Sequence, residues 1–578
     1  MLHLENDKST THNGYSLFLS GDELDEVRPL FDGFPHVSSP FHLEFAVTRL
    51  ADVCDILSDY DLMAASGQLN KRITQLKPAT MELVDNPVLP KFKLAPHLYQ
   101  KDAVKYGIEH PRFLLGDEMG LGKTGTMIFL AEILKAHYQF KHVLIVCGIN
   151  GAKYNWHQVE IPKFSHEHSH IVGGRINSKG RFVVGGTQER LCDLQMPHDE
   201  FYLLINLESL RDEKISAQLQ HMISTGEIGM VIIDEVHKAS GATSAQGKAI
   251  HKLRPKFRVG LTGTPIHNKP FDLYNIMKWL GYEYQTFAEF RLEHAYEIPK
   301  SIIRGGREIK YSEYVYKDLA TLHEKLKKFM LRRTVDVLQL PEPIFKDEYV
   351  ELDKEQQKLY TKIREDIINS ASYKSALSTS EVLSNPGVVF VKARQAVSAP
   401  AIFGIKSDAK LERTAEIVEE ALDAGKSIVI FAWFNATIDS YTHYLRGKFG
   451  ASKILAVQED TKNAQDIVSE FQNNNEPQVL IGTIGKLGTS FTITRADIVI
   501  FVDKHVVWSD YKQAYMRVWR QGQTKNVVII NLMVKDTVDE RLEYLIAKGK
   551  SHSQQVVDGV VDEVDEYIAE RFNVGDLL

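Results

Sequence analysis

Cysteine is nearly absent: Cys54, Cys147 and Cys192 are the only three in 578 residues. They form no C-x-x-C pair and are too few for a zinc ribbon or a disulfide framework. That scarcity fits a reducing compartment. An excess of positive charge is also missing. Lys and Arg total 69 against 76 Asp and Glu, a formal charge of −7, which excludes a globally basic, histone-like binder. Any nucleic acid must be held by a local patch. No run approaches the ~18 apolar residues that span a bilayer. The opening MLHLENDKST lacks a basic-then-apolar signal pattern. No membrane partner is expected, and the expected location is the cytoplasm, or the nucleus in a eukaryotic cell. Internal repeats and low-complexity tracts are missing as well. What remains is an ordinary globular composition, 43% hydrophobic and 25% charged. At roughly 100–200 residues per domain, the length allows about three to five domains.

Residues 1–93 carry little chemistry. FHLEFAVTRLADVCDILSDYDLMAA reads as a strand running into an amphipathic helix, and Asn86–Lys93, with Pro87 and Pro90, reads as a linker. From Leu94 short apolar runs alternate with helical periods. RFLL, HVLIVC, FYLLIN, MVIIDE and FRVGLTGT are strand-like, and so are SIVIFAWF, KILAV, QVLIG, DIVIFVD and NVVIINLM further on. Continuous apolar strands between helices imply parallel sheets covered on both faces. Between the two groups, Gly281 to Gln395 reads as mostly helical and charged. The chain after about Lys550 reads as an acidic helical tail.

Gly116-Asp117-Glu118-Met119-Gly120-Leu121-Gly122-Lys123-Thr124 follows the first strand and opens a helix. That is the context of a P-loop. Backbone N–H groups and the helix N-terminus cradle phosphates, Lys123 reaches the β- and γ-phosphates, and Thr124 ligates Mg²⁺. Asp117 stands where the general pattern has its first glycine. The strand MVIIDE ends in Asp234 and Glu235, the arrangement in which the first carboxylate holds Mg²⁺ and the second orients or deprotonates an attacking water. Arg517 and Arg520 are spaced i, i+3, so a helix would set both on one face, suited to charge developing on a transferred phosphoryl group.

Three further signals are set aside. His166-Glu167-His168-Ser169-His170 matches H-E-x-x-H but lies in a polar stretch after Pro162 rather than on a helix, which points to a surface loop. The basic run Glu324–Arg333 can be read as a nucleic-acid segment or as structural. Trp433 is expected in a core rather than stacked on a base.

The order DEMGLGKT, DEVH, LTGTPIHN, then WSDYKQAYMRVWRQGQTKNV resembles the Swi/Snf-type ATPases of helicase superfamily two, over about Leu94 to Leu545. LAPHLYQ, VLIVCGINGAKYNWHQVEIPKF, NLESLRD, FMLRRTVDVLQLPE, KARQAVSAP and DTVDERL match further segments in order. The chain departs from the pattern at Gly148, where proline is usual, and at Ser490 and Thr492 in KLGTSFTIT. The resemblance implies an α/β fold of two RecA-like parallel-sheet lobes in tandem, with a small N-terminal α/β accessory domain. The expected division is 1–93, 94–345, 346–550 and an acidic tail 551–578. The build looks closer to compact bacterial, phage or annealing-helicase members than to a nucleosome remodeller.

The resemblance also implies site residues. Glu235, Arg517, Arg520 and Lys123 would be catalytic. ATP would be bound by Gln100, the candidate adenine reader, by 117–124, by Asp234 and by Gln513. His237, Thr262, Gly263, Thr264 and Gly488 would couple hydrolysis to lobe movement. Asn155, Trp156, Ser209, Thr483 and Lys486 would touch nucleic acid. The implied cofactors are ATP and Mg²⁺, and the implied partner is double-stranded or branched DNA, with a protein partner conceivable through 1–93. The implied activity is a DNA-dependent ATPase that translocates on or remodels DNA. The alternatives are a nucleotide-gated DNA clamp and a strand-annealing or unwinding helicase.

Overall fold

The computed structural model describes residues 1–11, 14–149, 151–267, 269–304, 307–372 and 386–559. Two all-parallel sheets organise it. The first has seven strands in the order Met330–Leu331, Arg112–Leu115, Phe257–Leu261, Ile228–Asp234, His142–Cys147, Tyr202–Asn206, Ser169–Ile171. The second has six, in the order Ile344–Val350, Val528–Val534, Ile498–Phe501, Ile428–Ala432, Val479–Thr483, Ile454–Val457. All ten strand-like runs of the sequence are strands of these sheets.

The continuous apolar strands do what their composition requires. Alternate side chains enter opposite faces, so a strand buried on both sides is mostly apolar and each polar side chain in it needs a partner. In His142–Cys147 every residue is buried. Leu144 and Val146 join one apolar cluster with Val231 and Ile233. Val143 and Ile145 join the other with Met230 and Ile232. The second sheet repeats the scheme, with Val429 and Phe431 on one face and Ile428 and Ile430 on the other.

One expectation is corrected between the sheets. Gly281 to Gln395 is not mostly helical: Ala295–Arg304 and Arg307–Tyr316 form an antiparallel ribbon. The signal was a Gly-Gly dipeptide between two runs rich in Tyr, Ile and Val, which favour pleated strands. Of the expected tail, 551–558 continues the helical run that begins at Val538 and Gly559 ends it, and 560–578 lies outside the described residues. Among the described residues no helix is long and apolar enough to cross a membrane.

The N-terminal residues build a mixed five-stranded sheet with its own apolar core. It docks on the first lobe through charge. Asp52, Asp55 and Asp59 recur at a helix-like spacing of three and four. Arg254, Lys256 and Arg258 recur at the strand period of two. They meet in pairs: Asp52 with Arg254 at 2.8 Å, Asp55 with Arg258 at 2.7 Å, and Asp59 with Lys256 at 2.9 Å. Arg258 is fully buried, and Arg112 adds a contact to Asp55 at 3.3 Å. The Asn86–Lys93 stretch has no regular element, and the Lys93 N–H donates to the Phe164 carbonyl at 2.9 Å.

Candidate nucleotide site between the two lobes

The strand Arg112–Leu115 leads through the glycine-rich turn into the helix Lys123–Tyr138. Gly120 and Gly122 hold φ of 86° and 69°, the left-handed region that glycine enters without steric cost. A Cβ on Gly120 would also meet the Arg520 Cβ at 3.0 Å. Lys123 is sequestered at the turn: its Nζ donates to the carbonyls of Asp117 at 2.8 Å and Glu118 at 3.2 Å. Burial lowers the Lys123 pKa, opposed by Glu235 and Asp117.

The strand Ile228–Asp234 delivers the acid pair at its carboxyl end, where open parallel sheets place ligands. Glu235 sits at φ 52°, ψ 52°. For a residue with a side chain that conformation costs on the order of 1–3 kcal/mol, and it turns the carboxylate out of the strand direction. Burial, then the neighbouring Glu235 charge, raises the Asp234 carboxyl. Glu235 moves the opposite way: burial would raise it too, but His237, Lys123 and Arg517 outweigh burial and hold it low. The two carboxyls of the pair are therefore shifted in opposite directions, Asp234 up and Glu235 down. Gly148 runs alongside, where a Cβ would lie 2.8 Å from the Asp234 and Glu235 carbonyl oxygens.

The second lobe closes the site. Lys123, Thr124, Asp234, Glu235, Arg517 and Arg520 all line one cavity of about 490 Å³, together with Gln100, Met119, Asn155 and Trp156. Gln513 Nε2 donates to Glu235 Oε1 at 3.4 Å. Arg517 Nε donates to the Gly488 carbonyl at 2.9 Å. Burial, then the adjacent Arg520, lowers the Arg517 pKa to about 10, with Glu235 and Asp234 pulling it back. The two arginines do not share a helix face. The helix Trp508–Tyr515 ends before them, and they reach the cavity from the turn that follows. The turn begins because the Val518 and Trp519 N–H groups both bond back to the Tyr515 carbonyl.

Other site residues fall into groups. His237 Nδ1 lies 2.9 Å from Thr262 Oγ1, and the Thr264 N–H donates to the same oxygen at 3.0 Å. Gly263 packs on Met119, where a Cβ would sit 2.7 Å from Cγ. Leu121 is a core residue. Gln100 is buried, with Nε2 donating to the Gly122 carbonyl at 3.3 Å and Oε1 accepting from the His97 N–H at 2.9 Å.

Several expected contacts are corrected. The Asp117 and Glu118 side chains do not face the cavity. Asp117 accepts from Arg333 Nε at 2.9 Å. Glu118 accepts from the Val335 N–H at 2.8 Å and pairs with Lys512 of the second lobe. The basic run ending at Arg333 is thus spent on the phosphate loop, since Arg332 also donates to the Gly116 carbonyl at 2.8 Å. The Trp156, Ser209 and Thr483 side chains are buried at 1%, 5% and 3% exposure, engaged within the protein rather than presented on its surface. Ser209 Oγ accepts from Arg190 at 2.7 Å, and Thr483 Oγ1 caps its helix by accepting from the Lys486 N–H at 3.2 Å. Lys486 Nζ donates to the Glu459 carbonyl at 3.2 Å. Asn155 is exposed at the cavity rim. Trp433 is 37% exposed rather than core, with its ring stacked 4.0 Å from His505. In the H-E-x-x-H stretch, His170 forms a strand and pairs with Asp193 at 2.7 Å.

Trp156, Lys512, Ser509 and His267 were not foreseen in the roles they occupy. The only sequence trace was position: Ser509 and Lys512 sit one helical turn apart, ahead of Gln513, and His267 follows the Thr262–Thr264 segment.

The SNF2-related domain matches residues 99–402, and the helicase conserved C-terminal domain matches residues 409–522. An uncharacterized ATP-dependent helicase of Mycoplasma genitalium is 28% identical over 523 residues, which is 87% of this chain and 46% of the relative. A DNA repair and recombination protein, RAD54-like, of Danio rerio is 24% identical, over 90% of this chain and 73% of its own length. A solved structure of the Sulfolobus solfataricus SWI2/SNF2 ATPase core in complex with dsDNA is 25% identical, covering 85% of this chain and 97% of that one, with a TM-score of 0.35. The chain spans about half the length of the Mycoplasma relatives it matches. With its family match running over more than half of its residues, the chain belongs to the SNF2-related domain family.

Proposed function

We propose that the chain is an ATP-driven motor that hydrolyses ATP between its lobes and translocates on or remodels double-stranded DNA. One observation carries the hydrolytic part. Phosphate-loop, acid-pair and arginine residues, brought from positions some 390 residues apart in sequence, line a single cavity. A static binding module has no use for a charged Glu235 beside a half-buried Arg517 brought from the other lobe.

The chain's residues divide the work. The turn 120–124 and Lys123 hold the phosphates by N–H groups and charge. Thr124 and Asp234 offer hard oxygen donors in the same cavity, and the raised acid of Asp234 fits a position designed to be satisfied by a divalent cation. Mg²⁺ held by Thr124 and Asp234 would supply charge neutralisation at the transferred phosphoryl group. Glu235, held ionised, accepts a hydrogen bond from the attacking water and orients it. Arg517 and Arg520 meet the charge that develops on the phosphoryl oxygens, a contribution of roughly 10³-fold or more. Because those arginines belong to the second lobe, hydrolysis requires the lobes together. DNA that favours the closed arrangement then stimulates turnover.

DNA as the stimulant is supported by the family and by what its relatives are named for, DNA repair and recombination among them. The test is phosphate release from ATP with linear duplex DNA, forked DNA, RNA duplex or no nucleic acid. The reading expects low release alone and a large rise with DNA. Release that is absent with every polymer while ATP still binds would favour the nucleotide-gated clamp. Strand displacement and annealing assays then separate translocation from unwinding. The division into 1–93, two lobes and a tail is likewise our proposal, with the strand Ile344–Val350 assigned to the second lobe by its pairing.

A further inference from the structure

Two imidazoles stand between the candidate catalytic glutamate and the opposite lobe. His237 Nδ1 lies 3.2 Å from Glu235 Oε2 and 2.9 Å from Thr262 Oγ1. Its ring stacks on that of His267, with centroids 5.0 Å apart and planes 20° from parallel. His267 Nδ1 lies 2.7 Å from Ser509 Oγ, and the same oxygen lies 3.3 Å from the His267 carbonyl. Ser509 is buried at 3% exposure and is the second residue of the helix Trp508–Tyr515. Asp510 stands behind it, 3.9 Å from His267 Nδ1, with its other oxygen 2.5 Å from His505 Nδ1.

The partners of the two rings differ in one respect. His237 is held by Thr262, a residue of its own lobe. The hydrogen-bonding partner of His267 belongs to the other lobe. Separating the lobes removes the Ser509 hydroxyl from His267 but leaves the Thr262 contact intact. The helix that carries Ser509 also carries Gln513, which reaches Glu235 directly, and it leads into the turn that carries Arg517. Arrival of that helix therefore delivers the arginine and, by a separate route, anchors the ring on which His237 rests.

We infer that His267 is a positioning residue: pinned by Ser509 when the lobes close, it braces the His237 imidazole by stacking and so holds Glu235 in its hydrolytic orientation. The inference rests on the hydrolytic reading of Glu235 given above. It makes the glutamate, and not the arginines alone, responsive to lobe closure. An offset ring stack and one neutral hydrogen bond are each modest, together of the order that changes a rate roughly tenfold.

The test is a double-mutant cycle on the full chain, with His267→Phe, Ser509→Ala and the pair, read as kcat and KM for ATP with and without duplex DNA. His267→Phe keeps a ring to stack but cannot bond the hydroxyl, so it should lower kcat several-fold, as should Ser509→Ala, with KM for ATP unmoved. The pair should be no worse than either single change. His267→Ala, which loses the ring too, should fall further, roughly tenfold. Ser509→Thr, which keeps the hydroxyl, should restore the wild-type rate and also covers the case in which a histidine variant fails to fold. Additive losses in the cycle, a fall in ATP affinity matching that in kcat, or a Ser509→Thr as impaired as Ser509→Ala would overturn the inference. A wild-type chain that binds ATP but never hydrolyses it would instead overturn the hydrolytic reading itself.

Discussion

The indole N–H of Trp156 donates to Asp234 Oδ2 at 2.9 Å, from a side chain only 1% exposed. It fixes which carboxylate oxygen of Asp234 remains for the cavity. Trp156→Phe keeps the ring in the core and removes the donor. Donors that hold a metal-binding carboxylate in place in this way are worth roughly 10–100-fold in metal affinity. The Mg²⁺ concentration giving half-maximal hydrolysis should rise about tenfold or more, and Mn²⁺ binding followed by electron paramagnetic resonance should weaken in parallel. An unchanged Mn²⁺ affinity would return Trp156 to packing alone.

The acid pair and the arginines separate binding from chemistry. Glu235→Gln should bind ATP with near-wild-type affinity and hydrolyse it poorly. Lys123→Ala should lose both. Arg517→Ala and Arg520→Ala should each cost roughly 10³-fold in kcat. Equilibrium nucleotide binding measured beside single-turnover hydrolysis distinguishes the three patterns. Full DNA-dependent turnover by Arg520→Ala would remove that arginine from the clamp.

Asp55 anchors the N-terminal domain among three arginines. Removing it as Asp55→Ala leaves Arg258 buried and uncompensated, a loss of about 3–5 kcal/mol. Asp55→Leu with Arg258→Met should recover most of it, because the buried pair contributes little beyond mutual compensation. Urea denaturation and limited proteolysis near residues 78–97 report both effects. Burial would raise the Asp55 carboxyl, but the arginines outweigh it and hold it below its ordinary 3.8. Its contribution is therefore present above pH 3.8 and is lost as pH falls beneath it.

Asp408 has the opposite sign. It caps the helix Ala409–Asp423 by accepting from the Leu411 N–H at 3.0 Å, and burial pushes its carboxyl up to about 7. The unfolded chain ionises near 3.8, so the stability held by the neutral acid declines as pH rises from about 4 to about 7. Asn caps a helix as well as Asp and carries no charge. Asp408→Asn should match the wild type at low pH and exceed it by about 1–2 kcal/mol at pH 8. Equal melting temperatures at pH 8 would show that Asp408 ionises without cost.

Deleting the ribbon between Ala295 and Tyr316 tests whether it is structural. Its paired strands are exposed from Tyr296 to Ser301. Replacing 298–313 by a short Gly-Ser turn, which spares Tyr314 and Tyr316 where they pack on Phe271, should leave the melting temperature within a few degrees. A large fall would place the ribbon in the fold rather than on it.

Features that depend on neighbours along the chain were legible in the residues. Each buried parallel strand announced itself because both its faces are apolar, and the P-loop because glycine, lysine and threonine act through backbone within one turn. The acid pair was legible because a strand end needs no distant partner to present two carboxylates. The sequence was silent or misleading where a residue's role depends on which distant group it meets. Asp117 and Glu118 sit in a phosphate motif but answer Arg333 and Lys512, because their side chains point out of the loop toward those two distant cations. Trp156 lies in a segment associated with nucleic acid, yet its N–H meets Asp234 because adjacent parallel strands bring their carboxyl ends together. Asp55 among apolar neighbours looked like one more polar residue until folding set it against Arg258. Only the tertiary structure joined His237, His267 and Ser509, whose contact spans 242 residues and exists only where two separately folded lobes meet.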